Sequence, residues 1–592
     1  MALCVLVALV PLAFAAPLFE PYLTIKQILV QTGAATVALL WLITARAGPL
    51  TLVLTPIWIP LVGLSLAGGL SVLWSSHPSA SLEEGQRLFF GFLLFAVTLH
   101  QMKRSQTRTM LATALVLAGT IEAVYVLLQY SLGDPIFVTD SLPGKWRTFG
   151  TLGNPNWTGE FLAVVALISL GRLVDLGPNE PPLFDIKRGV SKSSSGGKSQ
   201  SAQRWMLLAL ILILLALAAT LARGTWLAFL VGAGAFTLVR RAHRGSRVAS
   251  VPATWSRRWI WPLAVTAGIG AAALIVLPLL GNQEAINHLL NLKSVRGRVW
   301  MWAVTWTMIK DAPWGGHGLG TFGLHFPLYQ AKVFSQEWAA PFVSNASFTS
   351  YAHNDYLQLW AEVGLLGLLA FGMLVWMVVK RGRALANDPV ALGCWAALIS
   401  LLVNAAVAFP LHLPTTLMLF AVLLGAVEGV GCKKTMALSL SAPPARIAIL
   451  LLAVTLCFTA YRSSYHRVAA DTALFRASAA LGSHHWNEAE KAMRAAIHHA
   501  PARLDGYAIL GRLHLERGEY ERALTVLDQA MRLGFDTDVY DWKATALQRT
   551  GQRAAAIATL NELVWLRPDL QWPRQRLSAL SRDDKNHEED KQ

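Results

Sequence analysis

The sequence predicts an all-α, polytopic membrane protein with a large loop on the outer face and a C-terminal array of helical pairs. Two observations from composition and one from periodicity carry this. The 592 residues are 54% hydrophobic and only 15% charged, and the apolar residues gather in runs long enough to cross a bilayer. After Ala470 the runs give way to amphipathic spacing that repeats with a period of about 33–34 residues. The formal charge of +16 is not the mark of a nucleic-acid partner, because basic residues clustered in alternate loops report membrane orientation.

Apolar runs begin near Leu3, Gln27, Leu50, Arg87, Met110, Thr158, Trp205, Gly224, Trp259, Tyr356, Val390, Thr415 and Ile447, which predicts about 12–13 transmembrane helices. The first run lacks a basic segment ahead of it and reads as an uncleaved helix. With the N-terminus inside, the basic clusters at Lys103-Arg104-Arg108, Lys187-Arg188, Arg240-Arg241, Lys380-Arg381 and Lys433-Lys434 all face the cytoplasm. Residues 131–157, 281–353 and everything after Tyr461 then face outward. The organisation expected is a membrane domain over 1–461 with a large outward loop at about 281–355, a repeat domain over 462–580 and an unstructured tail over 581–592. The cytoplasmic stretch "KRGVSKSSSGGKSQ" is a low-complexity linker.

In the tail, Gly518 recurs as Gly551, Ala523 as Ala556 and Tyr507 as Tyr540. "YAILGRLHLERGEYERAL" resembles a tetratricopeptide repeat, with Tyr507, Leu510 and Gly511 at the expected offsets. Such arrays share a core between neighbours and present a groove, so a protein partner is expected there.

Several motifs are set aside. Gly318, Gly320 and Gly323 spell GxGxxG without a strand-to-helix unit around them. Asp536 and Asp538 spell DxD inside a repeat connection. Cys4, Cys394, Cys432 and Cys457 are scattered, with neither disulfide nor zinc spacing. No metal and no cofactor is expected.

Four outward features remain. In "RTFGTLGNPNWTGEF", Arg147, Asn154 and Asn156 precede a span; the same residues also suit a turn that caps the helix. Arg223 lies between two spans with almost no connecting loop, placed to bind an anion or to anchor at the interface beside Trp226. Arg296 and Arg298 precede a stretch in which Trp302, Thr305 and Ile309 recur at helical spacing, as in a helix lying on the membrane. Finally, "SYAHNDYLQLWAEVGLLG" sets His353, Asn354 and Asp355 at the mouth of a span and Glu362 within it. Alone, a His at a helix mouth is more often a cap or surface residue than a catalyst.

Together they suggest chemistry. Two outward guanidiniums offer bidentate sites for a diphosphate. A His, with an ordinary pKa of about 6.5, accepts a proton near neutrality. Asn354 and Asp355 could orient its ring or a substrate hydroxyl. Glu362, buried, needs a partner, either an arginine or hydrogen-bond donors.

At these residues the chain resembles the O-antigen ligase and polymerase superfamily, from the first spans to about Val430. "HNDYLQLWAEVGLLG" looks like that family's His-Asn-x-x-Leu…Glu-x-Gly-x-x-Gly signature. "GRVWMW" followed by "DAPWGGHGLGTF" resembles its Arg-x-x-x-Trp…Pro-x-x-Gly-x-Gly segment. "GNPN" and "ARGTW" match weaker upstream motifs, with Ala222 where a Ser is common. The resemblance implies inverting, metal-independent glycosyl transfer from an undecaprenyl-diphosphate-linked glycan, at the periplasmic face of a bacterial inner membrane. By the same implication Arg223 and Arg298, with Arg296 in reserve, hold the diphosphate and His353 activates the acceptor. The acceptor class stays open: lipid A-core for a lipopolysaccharide ligase, a growing glycan for a surface-polysaccharide polymerase, or a protein. A lipid-linked glycan transporter would use the same arginines without His353 as a base. A membrane-anchored scaffold would need only the repeat array.

Overall fold

The computed structural model describes residues 1–44, 50–134, 148–176, 195–245, 293–346, 348–431, 436–440 and 443–589. Arg147, Cys432, most of the low-complexity linker and the run that begins near Trp259 lie outside them. Within them the chain is almost wholly helical.

The first helices are α1 (Ala2–Leu12), α2 (Thr24–Thr44), α3 (Trp58–Ser71), α4 (Pro78–Gln101), α5 (Ser105–Leu132) and α6 (Pro155–Asp175). After them come α7 (Ser195–Ala219), α8 (Arg223–Gly245), α9 (Lys293–Asp311) and α10 (Phe322–Phe334). The last of the bundle are α11 (Asp355–Arg381), α12 (Pro389–Asn404) and α13 (Pro414–Glu428). Among the described residues, six helices are long and apolar enough to cross a membrane: α2, α5, α6, α7, α11 and the later α14 (Pro443–Gly482). α1, α3, α12 and α13 are shorter apolar helices. The run beginning at Leu50 is not one helix. Leu50–Leu54 forms a strand, β1, paired antiparallel with β2 (Met436–Leu440), and α3 starts only at Trp58. The β-branched and leucine-rich stretch "LTLVL" suits a strand, and Pro56 separates it from the helix.

α6 is buried on nearly every side, packed by α12, α7, α5 and α8. Gly171 and Gly393 permit the closest approach: a Cβ on Gly171 would lie 2.5 Å from the Pro389 carbonyl. Small residues at such a crossing are how membrane helices gain van der Waals contact. At one end of the bundle Arg108 pairs with Asp388, and Arg381 lies 3.5 Å from Glu428. Three connections read as cytoplasmic thus gather on one side, opposite the start of α11.

On the other side lies the loop segment α9–α10. Trp300, Met301, Val304 and Met308 form the buried face of α9, so Trp302, placed in the stripe by sequence spacing, is only half-buried. Trp300 stacks on Phe334 with ring centroids 4.4 Å apart.

α14 runs unbroken through Tyr461, so the expected boundary there falls inside a helix. It packs on α2 and leads into α15 (Trp486–His499), α16 (Leu504–Glu516), α17 (Tyr520–Leu533), α18 (Thr537–Arg549), α19 (Arg553–Leu566) and α20 (Trp572–Glu589). Successive helices pack pairwise. α20 continues to Glu589, past the point where the sequence predicts an unstructured tail. Asp536 caps α18, its carboxylate accepting from the Asp538 N–H at 2.7 Å. The array is not free of the bundle: Ala331 of α10 is buried with Tyr540, Leu563 and Leu566, and Phe348 meets Phe535.

Candidate functional site

α11 opens the site. Asn354 is its N-cap, accepting from the N–H groups of Tyr356 and Leu357 at 3.1 Å each. That satisfies two donors a helix start leaves unpaired, so its side chain is turned to the helix and not to His353. Asp355 is equally committed. Its Oδ1 lies 2.8 Å from His412 Nδ1, and its Oδ2 accepts from the Leu411 N–H at 3.0 Å. Gln358 completes this chain. Its Oε1 accepts from the Ala352 N–H, so its Nε2 donates to Glu362 at 3.1 Å and faces His412 Nε2 at 3.0 Å. That leaves the Nδ1–H of His412 to donate to Asp355. The orienting role expected of Asp355 toward His353 is replaced by this bond to His412.

Glu362 is buried, and its hydrogen-bond partners among the described residues are not an arginine. It accepts from the N–H of Gly320 at 2.9 Å and of Phe322 at 3.2 Å. Beside it α11 breaks at Gly364, whose φ is 81°. The bond that Leu365 would make to Ala361 is exchanged: Leu365 donates to Pro313, and Ala361 accepts from His317. Gly318 donates to Glu362 in the same way, at 2.9 Å. Broken backbone in an apolar helix is tolerated where other groups restore its hydrogen bonds. The two glycine-rich motifs therefore pack backbone to backbone, and the GxGxxG stretch is the turn that leads into α10, with Gly318 and Gly320 in the turn and Gly323 in the first turn of the helix.

His353 itself stands just before the cap, with φ 52°. A non-glycine residue in that region costs about 1–2 kcal/mol. Its ring lies nearly perpendicular to that of Phe409, with centroids 4.8 Å apart, and Phe409 stacks on Tyr351. Burial, then the charge of Arg298, pushes the imidazole down to about 4.

Arg298, half-buried on α9, has its guanidinium beside Gly224. Burial and the neighbouring Arg223 lower its pKa, while Glu160 opposes them. Arg223 opens α8, where the helix N-terminus favours anions, and its Nη2 donates to Ser294 at 2.8 Å. The structure thus brings Arg223, Arg298 and His353 together. It does not bring Arg296, which is exposed; two residues apart on a helix is about 200° around the axis. Asn154 caps α6 by accepting from the Asn156 N–H at 2.9 Å.

Sequence reasoning missed Glu160, Asn404, Gln358 and His412. Glu160 stood inside the "GNPNWTGEF" motif as an acid within an apolar run, which is a signal of function in itself. Its Oε1 accepts from Asn404 Nδ2 at 2.8 Å. Near Asp355, His412 and Glu362 opens an apolar cleft, walled by Leu61, Leu64, Phe92, Phe95, Leu417 and Phe420 and bordered by the Arg87–Glu84 ion pair.

The chain is similar to a known family, and no curated protein matches it. The family model described as O-antigen ligase matches residues 208–372, a stretch that contains Arg223, Arg298, His353 and Glu362. That match, with the apolar helices, supports a multi-pass membrane glycosyltransferase of the O-antigen ligase and polymerase superfamily.

Proposed function

We propose that the protein transfers a glycan from an undecaprenyl-diphosphate carrier to an acceptor hydroxyl at the periplasmic face of a bacterial inner membrane. The observation that carries this reading is the convergence of Arg223, Arg298 and His353, from three separate segments, at one end of the bundle. Arg223 and Arg298 hold the diphosphate, which is the leaving group. The acceptor oxygen attacks the anomeric carbon from the opposite face. As that C–O bond forms, the bond to the diphosphate breaks, its electron pair stays on the diphosphate, and the hydroxyl proton passes to His353. Inversion and independence of metal follow from a single displacement assisted by a base. The apolar cleft suits the isoprenoid chain, since hydrocarbon walls carry only a few polar groups at one end. Asn354 and Asp355 shape the start of α11, and Glu362 holds the glycine-rich turn. The C-terminal helical pairs, read as tetratricopeptide-like, face the periplasm and recruit a protein partner.

The test is transfer by the purified full chain from a defined lipid-linked glycan, with lipid A-core, glycan and protein acceptors scored separately. His353→Ala is expected to keep donor binding and to lose about 10²–10⁴-fold in single-turnover rate. Arg298→Ala is expected to lose donor binding first. An alanine variant at His353 that transfers at the parent rate overturns the base assignment.

A further inference from the structure

Glu160 lies in the first turns of α6, 3% exposed, with a polar side chain that the reaction above does not use. Its Oε1 is taken by Asn404 Nδ2 at 2.8 Å. Its Oε2 is buried and has no hydrogen-bond partner among the described residues. With Nδ2 given to Oε1, the amide oxygen of Asn404 is left on the other side. The bond to Glu160 therefore fixes which way the Asn404 amide points, with Nδ2 toward α6 and Oδ1 away from it.

The oxygen so turned faces the diphosphate clamp. A Cβ on Gly224 would lie 3.6 Å from Asn404 Oδ1 and 4.0 Å from Arg298 Nη1. An acceptor and a guanidinium thus flank the bare Cα beside Arg223, and a side chain at 224 would stand between them. Glu160 lies within electrostatic reach of Arg298, though among the described residues neither an ion pair nor a hydrogen bond joins Arg298 to Glu160 or to Asn404. The neighbouring carbonyl, Ala405, accepts from the N–H of Asp355 at 2.8 Å, which ties the same corner to the start of α11.

We propose that Glu160 and Asn404 form a positioning pair for Arg298: the carboxyl group sets the Asn404 amide, and the amide oxygen steers the guanidinium toward Arg223 to receive a diphosphate. This rests on the diphosphate reading of the clamp. Neither residue touches the reacting atoms. Losing the acceptor at 160 frees the amide to turn its NH₂ toward the guanidinium, where donor meets donor.

The probe is farnesyl diphosphate, titrated calorimetrically into the full-length protein in detergent. Glu160→Met, which keeps length and loses the acceptor, is expected to weaken binding about fivefold to tenfold, the net size of one hydrogen bond of about 1 kcal/mol. Glu160→Gln keeps a carbonyl for Asn404 and should stay within about threefold. In transfer assays Glu160→Met should raise the donor KM and leave kcat nearly unchanged, a split that general loosening does not produce. In an Arg298→Ala background Glu160→Met should cost nothing further. Asn404→Ser carries the same expectations and stands in should Glu160→Met not fold. Binding at the parent level in both variants, or a loss that persists in full without Arg298, overturns the pair. If Arg298→Ala itself binds normally, the clamp reading fails and takes the pair with it. If Arg298→Ala binds weakly and both positioning variants bind normally, the clamp stands and only the pair is overturned.

Discussion

Gly364 presses its Cα against the carbonyl of Trp314: a Cβ there would lie 2.0 Å from that oxygen. The contact locks the break in α11 to the turn after α9, and it places Glu362 under the N–H groups of Gly320 and Phe322. Gly364→Ala adds both a clash with backbone and a left-handed conformation that alanine resists. It should destabilise the fold by about 3 kcal/mol or more, read as a lowered Tm in detergent, with transfer lost in proportion. An alanine variant of parental stability would falsify the locked break.

Glu362 makes its case through its acceptors. Glu362→Leu takes the acceptor from the buried Phe322 N–H, the half-buried Gly320 N–H and the Gln358 amide, at about 1–3 kcal/mol for a buried donor left unpaired. Glu362→Gln retains one carbonyl oxygen and should lose roughly half as much. Hydrogen exchange at Gly320 and Phe322 should rise in the leucine variant; unchanged protection there would remove the anchoring role.

The proposed base should show an unusual pH profile. His353 in the free protein is held down to about 4, first by burial and then by Arg298. Its neutral, proton-accepting form therefore persists well into acid, and kcat/KM should hold until pH approaches about 4. A bound diphosphate offsets the Arg298 charge, so the acidic limb of kcat should lie higher than that of kcat/KM. The same shift bears on stability. A histidine depressed in the fold takes its proton more readily when unfolded, so its contribution falls as pH drops from about 6.5 to about 4 and is flat above that window. Coincident limbs for kcat and kcat/KM would separate His353 from the clamp.

Asp355 and His412 should behave as one unit. Removing one member of a buried, hydrogen-bonded pair costs about 3–5 kcal/mol when the other is left unpaired. Asp355→Ala and His412→Ala should each lower Tm strongly, and the double variant should cost much less than their sum. A rate defect in Asp355→Asn with no change in Tm would return Asp355 to the reacting groups.

The helical array touches the loop through Ala331. Ala331→Arg should unseat it, exposing the connections after Gly482 to protease while transfer falls several-fold and remains measurable. A chemically dead variant whose bundle is intact would mean that the array supplies part of the site.

What was legible in the sequence is what contrasts with an apolar background. His353, Arg223, Arg298 and Glu362 stand out because charge and imidazole are costly where they lie. The helical starts near Gln27, Met110, Thr158 and Val390 follow from run length. The polar partners were illegible because they come from afar: Asn404 meets Glu160 across 244 residues, and His412 meets Asp355 across 57. Neither carries a local pattern. The break at Gly364 was hidden for another reason, since a glycine in an apolar run reads as packing until a carbonyl is found against it. The strand at Leu50–Leu54 was absorbed into a span because both are apolar, and only its mate at Met436–Leu440 distinguishes them.

That ribbon has a consequence for biosynthesis. β1 waits for a mate made some 380 residues later, and α2 waits for α14, which it meets through packing and through Thr36 and Tyr461, 3.1 Å apart. Until the last span leaves the ribosome, the first helices expose to lipid or to the insertion machinery a flank and a strand edge meant for protein. Glu20 likewise lacks Asp471, whose carboxylate accepts from its N–H at 3.0 Å. Insertion from the N-terminus therefore leaves β1 and one flank of α2 uncovered until β2 and α14 have been made, and a chaperone or insertase that holds the early helices would act on this interval.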